Sequence, residues 1–168
     1  MHNAIAVYPI SAQPPTLGHG DILRRAAASF VKLYWVAALS PEKETRLSLE
    51  SQIGIMQDYV KYYKLNNVEV AHFSGSIARY ALDKEARFIV RGVRHGGDLD
   101  HEMSLSAGYR GITEQVEVVA FFADPKYSRI SSSLVRELAR IGEDISAYVI
   151  PQTQAKILDA YGPASMKK

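Results

Sequence analysis

The chain contains no cysteine. Disulfides, a thiolate nucleophile and a cysteine-based zinc centre are therefore excluded, and the composition fits a reducing cytosol. It also lacks any apolar run near the ~20 residues needed to span a bilayer. Charge of one sign is scarce: 20 Lys and Arg stand against 18 Asp and Glu, a formal net charge of +2. With no long basic run, that balance gives no footing for nucleic acid. No internal repeat is evident. Met1-His2-Asn3 leads straight into an apolar segment, so no signal peptide is expected. These absences leave the expectation of a soluble, cytoplasmic protein without nucleic-acid or membrane partners. Its 168 residues suffice for one domain with a substantial core.

What the chain does have is a regular alternation of apolar runs and helical periods. An apolar run at 4–7 enters Tyr8-Pro9-Ile10-Ser11-Ala12-Gln13-Pro14-Pro15-Thr16-Leu17-Gly18-His19-Gly20-Asp21, and an apolar-periodic run at 22–30 leaves it. This pattern predicts a strand, a Pro/Gly-rich turn and the first turn of a helix. Residues 33–39 are nearly continuously apolar, as in a strand buried on both faces. After a polar loop at 40–46, Ser48 is a plausible N-cap for a helix reaching about Tyr63, with Ile53, Met56, Val60 and Tyr63 at helical spacing. Strands are expected at 68–73, 86–90 and 116–122, the last being the most hydrophobic of the set. Helices are expected at 76–82, 98–109 and 131–141. Pro151 should open a final helix over 152–161, with 162–168 a frayed tail.

This order predicts a doubly wound α/β fold, a Rossmann-like five-stranded parallel sheet with helices on both faces. Ligands in such sheets sit at the carboxyl ends of strands, at the topological switch point. Three candidate chemical loops fall there: 11–19, Arg91 to Arg94, and 126–133. A strand-to-helix turn offers backbone N–H groups and a positive dipole end, a natural seat for phosphate. Each group also has a plainer use when read alone. Thr16-x-Gly18-His19 can be a turn and helix cap, with His19 on the surface. Arg91 and Arg94 can be solvated charges partnering Asp98, Asp100 or Glu102. Ser131, Ser132 and Ser133 can cap a helix, and Arg136 and Glu137 can be helix-surface charges. Lys43 depends on its company. His72, His95 and His101 show no metal-ligand spacing and read as surface or packing residues. No local Ser/His/Asp signature points to covalent hydrolysis.

Together the groups are more specific than any one alone. TxGH after the first strand, Lys43 after the second, Arg91-Gly92-Val93-Arg94 after the fourth and Ile130-Ser131-Ser132-Ser133-Leu134-Val135-Arg136-Glu137 resemble the nucleotidyltransferase superfamily. Within it the chain is similar to the phosphopantetheine adenylyltransferase family of the bacterial coenzyme A pathway, from about Ala4 to Pro151. Further matches are Tyr8-Pro9, Ser40-Pro41-x-Lys43, Asn67-Val68-Glu69-Val70 and Asp98-x-x-x-Glu102-Met103.

The resemblance implies one nucleotidyltransferase domain over 1–168 that transfers AMP from ATP to 4′-phosphopantetheine, with Mg²⁺, in a homohexamer. It implies His19, Lys43 and Arg94 as the catalytic set, and Ser11, Lys43, Ile77 and Arg91 on the acceptor. ATP would meet Ser11, Ala12, Thr16, His19, Gly92, Val93, Arg94 and Glu102, together with Tyr127, Ser128, Arg129, Ile130, Ser131, Ser132 and Ser133. No protein ligand to a metal is implied. The chain departs from the family at Ile10, Ala12 and Gln13 in the opening turn, and at Gly75, His101 and Tyr109. These departures keep two alternatives open: a related transferase with another phosphate acceptor, such as nicotinamide mononucleotide or glycerol 3-phosphate, and a non-catalytic nucleotide- or CoA-binding module.

Overall fold

The computed structural model describes residues 4–11, 13–38 and 46–163. Five strands form one parallel sheet: β1 (Ile5–Ile10), β2 (Lys32–Ala38), β3 (Val68–Phe73), β4 (Phe88–Val93) and β5 (Glu117–Phe122). Their order is β3-β2-β1-β4-β5, so the direction of winding reverses between β1 and β4. The helices are α1 (Leu17–Ser29), α2 (Leu49–Tyr62), α3 (Ile77–Asp83), α4 (Gly96–Arg110), α5 (Ser132–Ile141) and α6 (Gln154–Tyr161). The expected doubly wound α/β architecture is present. Among the described residues, no helix is long and apolar enough to cross a membrane.

Strand alternation sorts side chains into two cores, one on each face of the sheet. Ala6, Tyr8 and Ile10 of β1 and Leu33, Trp35 and Ala37 of β2 pack with residues of α1, α2, α5 and α6. Val7, Tyr34, Val36 and Ile89 point the other way, onto Ile77, Tyr80 and Ala81 of α3. The apolar run at 33–39 is thus buried on both faces, as expected.

The hydrophobic run ending at Phe122 behaves differently. It forms β5 at the sheet edge, where Phe122 is 66% exposed. Apolarity alone does not distinguish an edge strand from a central one. Two boundaries also move. Pro151 opens a 3₁₀ turn, Pro151–Thr153, and α6 begins only at Gln154. Arg91, Gly92 and Val93 lie within β4 rather than after it.

The switch point is where the sheet opens. β1 pairs with β4 only at Ala6↔Phe88 and Val7↔Ile89, whereas β1 and β2 pair along six positions. Beyond Val7 and Ile89 the carboxyl ends of β1 and β4 run on without pairing to each other. Gly92 keeps α1 close to this opening, since a Cβ there would run into Cδ1 of Ile22. Any larger residue would have to push Ile22 aside.

Candidate active site

A cleft of about 570 Å³ occupies the opening between β1 and β4. Its walls come from stretches far apart in sequence: the end of β1 and the β1–α1 turn, the end of β4, one side of α4, the segment after β5 and the start of α5, with Ala38 of β2 and Ile77 of α3. Of the residues expected in the site, Ser11, Thr16, His19, Ile77, Arg91, Gly92, Arg94, Glu102, Tyr127, Ile130, Ser131, Ser132 and Ser133 line it. Val93 does not; it is buried in the sheet. Ser128 and Arg129 also stand off the lining, with the Ser128 hydroxyl donating to the Pro125 carbonyl at 2.8 Å. Lys43 and Ala12 lie outside the described residues.

The N-terminal end of α1 faces the cleft through Thr16, Gly18 and His19. Nδ1 of His19 accepts from the Thr16 backbone N–H at 3.2 Å and lies 2.9 Å from the Thr16 hydroxyl. A neutral imidazole accepting at Nδ1 carries its proton on Nε2. Burial, with Arg94 nearby, pushes the His19 pKa down to about 4. The ring is therefore neutral at pH 7, its orientation fixed by Thr16 and its Nε2–H left as the donor. The capping contacts use only Nδ1 of the ring.

Arg91 and Arg94 meet two carboxylates one helical turn apart on α4. Arg91 grips Glu102 with two nitrogens, Nη2 donating to Oε1 at 2.7 Å and Nε to Oε2. The pair is only 18% and 11% exposed. Burial pulls the Arg91 pKa down, but the hydrogen bond and charge of Glu102 more than offset this, and the net shift is upward. Arg94 donates to Asp98 from Nε at 2.9 Å and from Nη2 at 3.1 Å, and reaches the Ile130 carbonyl at 3.5 Å. Burial raises the Asp98 carboxyl, yet the Arg94 contacts outweigh it and hold the carboxyl below its ordinary range. The partners that a plain reading gave these arginines are real, but Arg91 and Glu102 are enclosed rather than solvated.

At the opposite wall Ser131 caps α5, its hydroxyl accepting from Leu134 N–H at 3.1 Å. Arg136, part of the Ile130-to-Glu137 motif and, read alone, a helix-surface charge, lines the cleft and donates to the Gln13 carbonyl at 2.7 Å. No local pattern could have shown this, since 123 positions separate the two residues. Gln13, Tyr8 and Tyr109 also line the cleft, as does His101, read from sequence as a surface or packing residue. His95 does stay on the surface, where its Nδ1 caps α4 by accepting from Asp98 N–H at 3.3 Å. Among the described residues, no group of three or more His, Asp or Glu could hold a metal ion. The cleft thus presents two helix N-termini, serine hydroxyls, a neutral imidazole and arginines, a donor set suited to several phosphates in a row.

Residues 7–138 match the cytidylyltransferase-like family. A phosphopantetheine adenylyltransferase from Thioalkalivibrio sulfidiphilus is 37% identical over 145 residues, 86% of this chain and 90% of that one. Its counterpart from Cupriavidus necator is 36% identical over 158 residues, 94% and 97% of the two chains. In fold the chain is like the Plasmodium falciparum nicotinic acid mononucleotide adenylyltransferase complexed with NaAD. That structure superposes with a TM-score of 0.70 at 15% identity, over 95% of this chain and 98% of that one. With sequence and cleft pointing the same way, the chain belongs to the phosphopantetheine adenylyltransferase family, a branch of the nucleotidyltransferases.

Proposed function

We propose that this chain transfers AMP from ATP to 4′-phosphopantetheine, giving dephospho-CoA and pyrophosphate. The observation that carries the reading is the convergence of His19, Arg91, Arg94 and Ser131 to Ser133 on one cleft at the switch point of the sheet. An oxygen of the acceptor phosphate attacks the α-phosphorus in line, the bond to the bridging β-oxygen breaks, and pyrophosphate leaves. The acceptor phosphate is already ionised at pH 7, so the site needs positioning and charge stabilisation rather than a strong base.

The cleft residues divide naturally between the two substrates. The start of α5 and Arg94 take the triphosphate, and Nε2–H of His19 donates where charge builds on the α-phosphate. Thr16 and Gly92 pass along the nucleotide, with Tyr127 and Ile130 toward the base. Ser11 and Arg91 hold the acceptor phosphate, and Ile77 lines its arm. Lys43 and Ala12 complete the set by position in sequence. Arg91 and Glu102 begin paired with each other, so substrate phosphates share Arg91 with a carboxylate already present.

Mg²⁺ enters this reading with the nucleotide. Asp98 and Glu102, the carboxylates of the cleft, are both engaged by arginines. The donor set therefore fits a metal carried mainly by phosphate oxygens and water, as Mg²⁺ commonly is in such sites. There it would neutralise part of the triphosphate charge.

We place the protein in the cytoplasm and propose a homohexamer. The surface supports assembly: α4 has no buried residue over 15 positions, and Met103 and Phe122 are 62% and 66% exposed. Large apolar side chains so displayed on a helix and an adjoining edge strand suit a protein partner.

Acceptor-dependent pyrophosphate release tests the activity, with 4′-phosphopantetheine compared against nicotinamide mononucleotide and glycerol 3-phosphate. Tyr109 and His101 on the cleft wall make that comparison necessary. Release with 4′-phosphopantetheine alone supports the reading; release with another acceptor alone replaces it.

A further inference from the structure

Three consecutive carbonyls of the β1–α1 turn are each held by a donor from a distant part of the chain. Arg136 Nη1 donates to the Gln13 carbonyl at 2.7 Å, the Ser132 hydroxyl to the Pro14 carbonyl at 2.8 Å, and the Tyr59 hydroxyl to the Pro15 carbonyl at 3.3 Å. Two of the three donors stand on the first turns of α5. Arg136 also donates from Nη2 to the Ser133 hydroxyl at 3.1 Å, so one guanidinium spans both walls of the cleft. A turn built on Pro14-Pro15 has two residues without an N–H, which limits the hydrogen bonds it can form within itself. Its shape is therefore set from outside. The same turn carries Ser11 and ends at Thr16 and His19, while α5 presents Ser131 and Ser133 from the facing wall.

We propose that Arg136 and Ser132 are positioning residues, which act through the Gln13 and Pro14 carbonyls to fix the His19 wall of the cleft against the α5 wall. The arginine serves by holding the turn rather than by holding a phosphate. A charge-assisted bond to a carbonyl is stronger than a neutral one, and a planar fork can bond two acceptors at once. A transferase of this kind depends on the separation of its two walls, because donors misplaced by about 1 Å can cost roughly a hundredfold in rate. The kinetic part of the proposal rests on the adenylyltransferase reading; the structural part does not.

The test combines amide hydrogen exchange on the ligand-free protein with steady-state kinetics, for Arg136→Met, Arg136→Lys and Ser132→Ala. Arg136→Met keeps the length of the side chain and removes every donor. Exchange across residues 8–20 should quicken by about tenfold or more, matching the loss of a charge-assisted hydrogen bond, with little change elsewhere. With both substrates saturating, kcat should fall by about tenfold or more, while the Kd for ATP stays within about threefold. Arg136→Lys should restore part of both effects. Ser132→Ala, which removes only a hydroxyl, should move both in the same direction by less.

Unchanged exchange in the free Arg136→Met and Ser132→Ala proteins overturns the proposal whatever the kinetics show. So does a loss confined to ATP affinity, which makes Arg136 a phosphate ligand, or quickened exchange with kcat intact. If the wild-type protein turns over no acceptor, the adenylyltransferase reading fails, and the exchange measurement still decides whether the turn is held from α5.

Discussion

Glu102 and Arg91 form a two-pronged ion pair across the cleft, Nη2 of Arg91 donating to Oε1 of Glu102 at 2.7 Å. It ties a helix with no buried residue of its own to β4, the strand beside the sheet's central β1. With 18% and 11% exposure the pair lies between the surface and the deeply buried cases.

Glu102→Ala leaves the Arg91 guanidinium enclosed without its counter-ion. A loss of about 1–3 kcal/mol in unfolding free energy is expected, above the surface range and below that for a fully buried pair. Urea unfolding measures it. Added 4′-phosphopantetheine should recover much of the loss by supplying a phosphate to Arg91, and a change under about 0.5 kcal/mol would count against the pair as a tether of α4.

His19 makes a pH prediction whose sign follows from its depressed pKa, about 4 in the folded protein against 6.5 ordinarily. Above pH 6.5 both states are neutral at this group, and it contributes no pH dependence. As pH falls from 6.5 toward 4 the unfolded chain takes up a proton that the folded one refuses, so stability drops. The drop attributable to His19 should reach at most about 3 kcal/mol at pH 4, since each tenfold loss of proton affinity is worth about 1.4 kcal/mol. Denaturation midpoints of the wild type and His19→Asn, compared from pH 7 to pH 4, report it. Parallel curves for the two proteins would contradict the depressed pKa.

The proposed transfer gives the same residue a kinetic role. His19→Ala should lower kcat by about a hundredfold or more, the scale of losing one preorganised donor to a developing oxyanion. KM for ATP should change little, because the α5 wall and Arg94 remain. Steady-state kinetics with both substrates varied checks this, and an unaffected kcat removes His19 from the chemistry.

Assembly can be tested at the exposed apolar side chains. Phe122→Asp or Met103→Asp should shift the protein to smaller species in light scattering, because a buried charge at an interface is costly. The fold should stay intact, as both side chains point outward. An unchanged mass in both variants would place the interface elsewhere.

Alternating apolar runs and helical periods were enough to foresee the parallel sheet and all six helices, because each element carries its own periodicity. Edge or centre was not legible for β5, whose apolar sequence Glu117–Phe122 suits either place. Many cleft-lining residues were legible because helix N-termini and strand ends meet at the switch point of such a sheet. The pairing of Arg91 with Glu102 and Arg94 with Asp98 was partly so, since two carboxylates four apart on a helix share one face. Arg136 was legible as part of the Ile130-to-Glu137 motif, but its contact was not. Its partner is a backbone carbonyl 123 positions away, and carbonyls carry no mark in a sequence. Of the departures, Gln13 falls on this same turn and contributes its main chain to the Arg136 contact, while Ile10 ends β1 and packs into the core.

Everything proposed for the β1–β4 cleft turns on the transfer of AMP to a phosphate acceptor. Incubating the protein with ATP, Mg²⁺ and 4′-phosphopantetheine, and quantifying both products chromatographically, tests it most directly. Dephospho-CoA and pyrophosphate should form in equal amounts, and both should be abolished when the acceptor is omitted. Nucleotide binding with neither product formed would contradict the transfer.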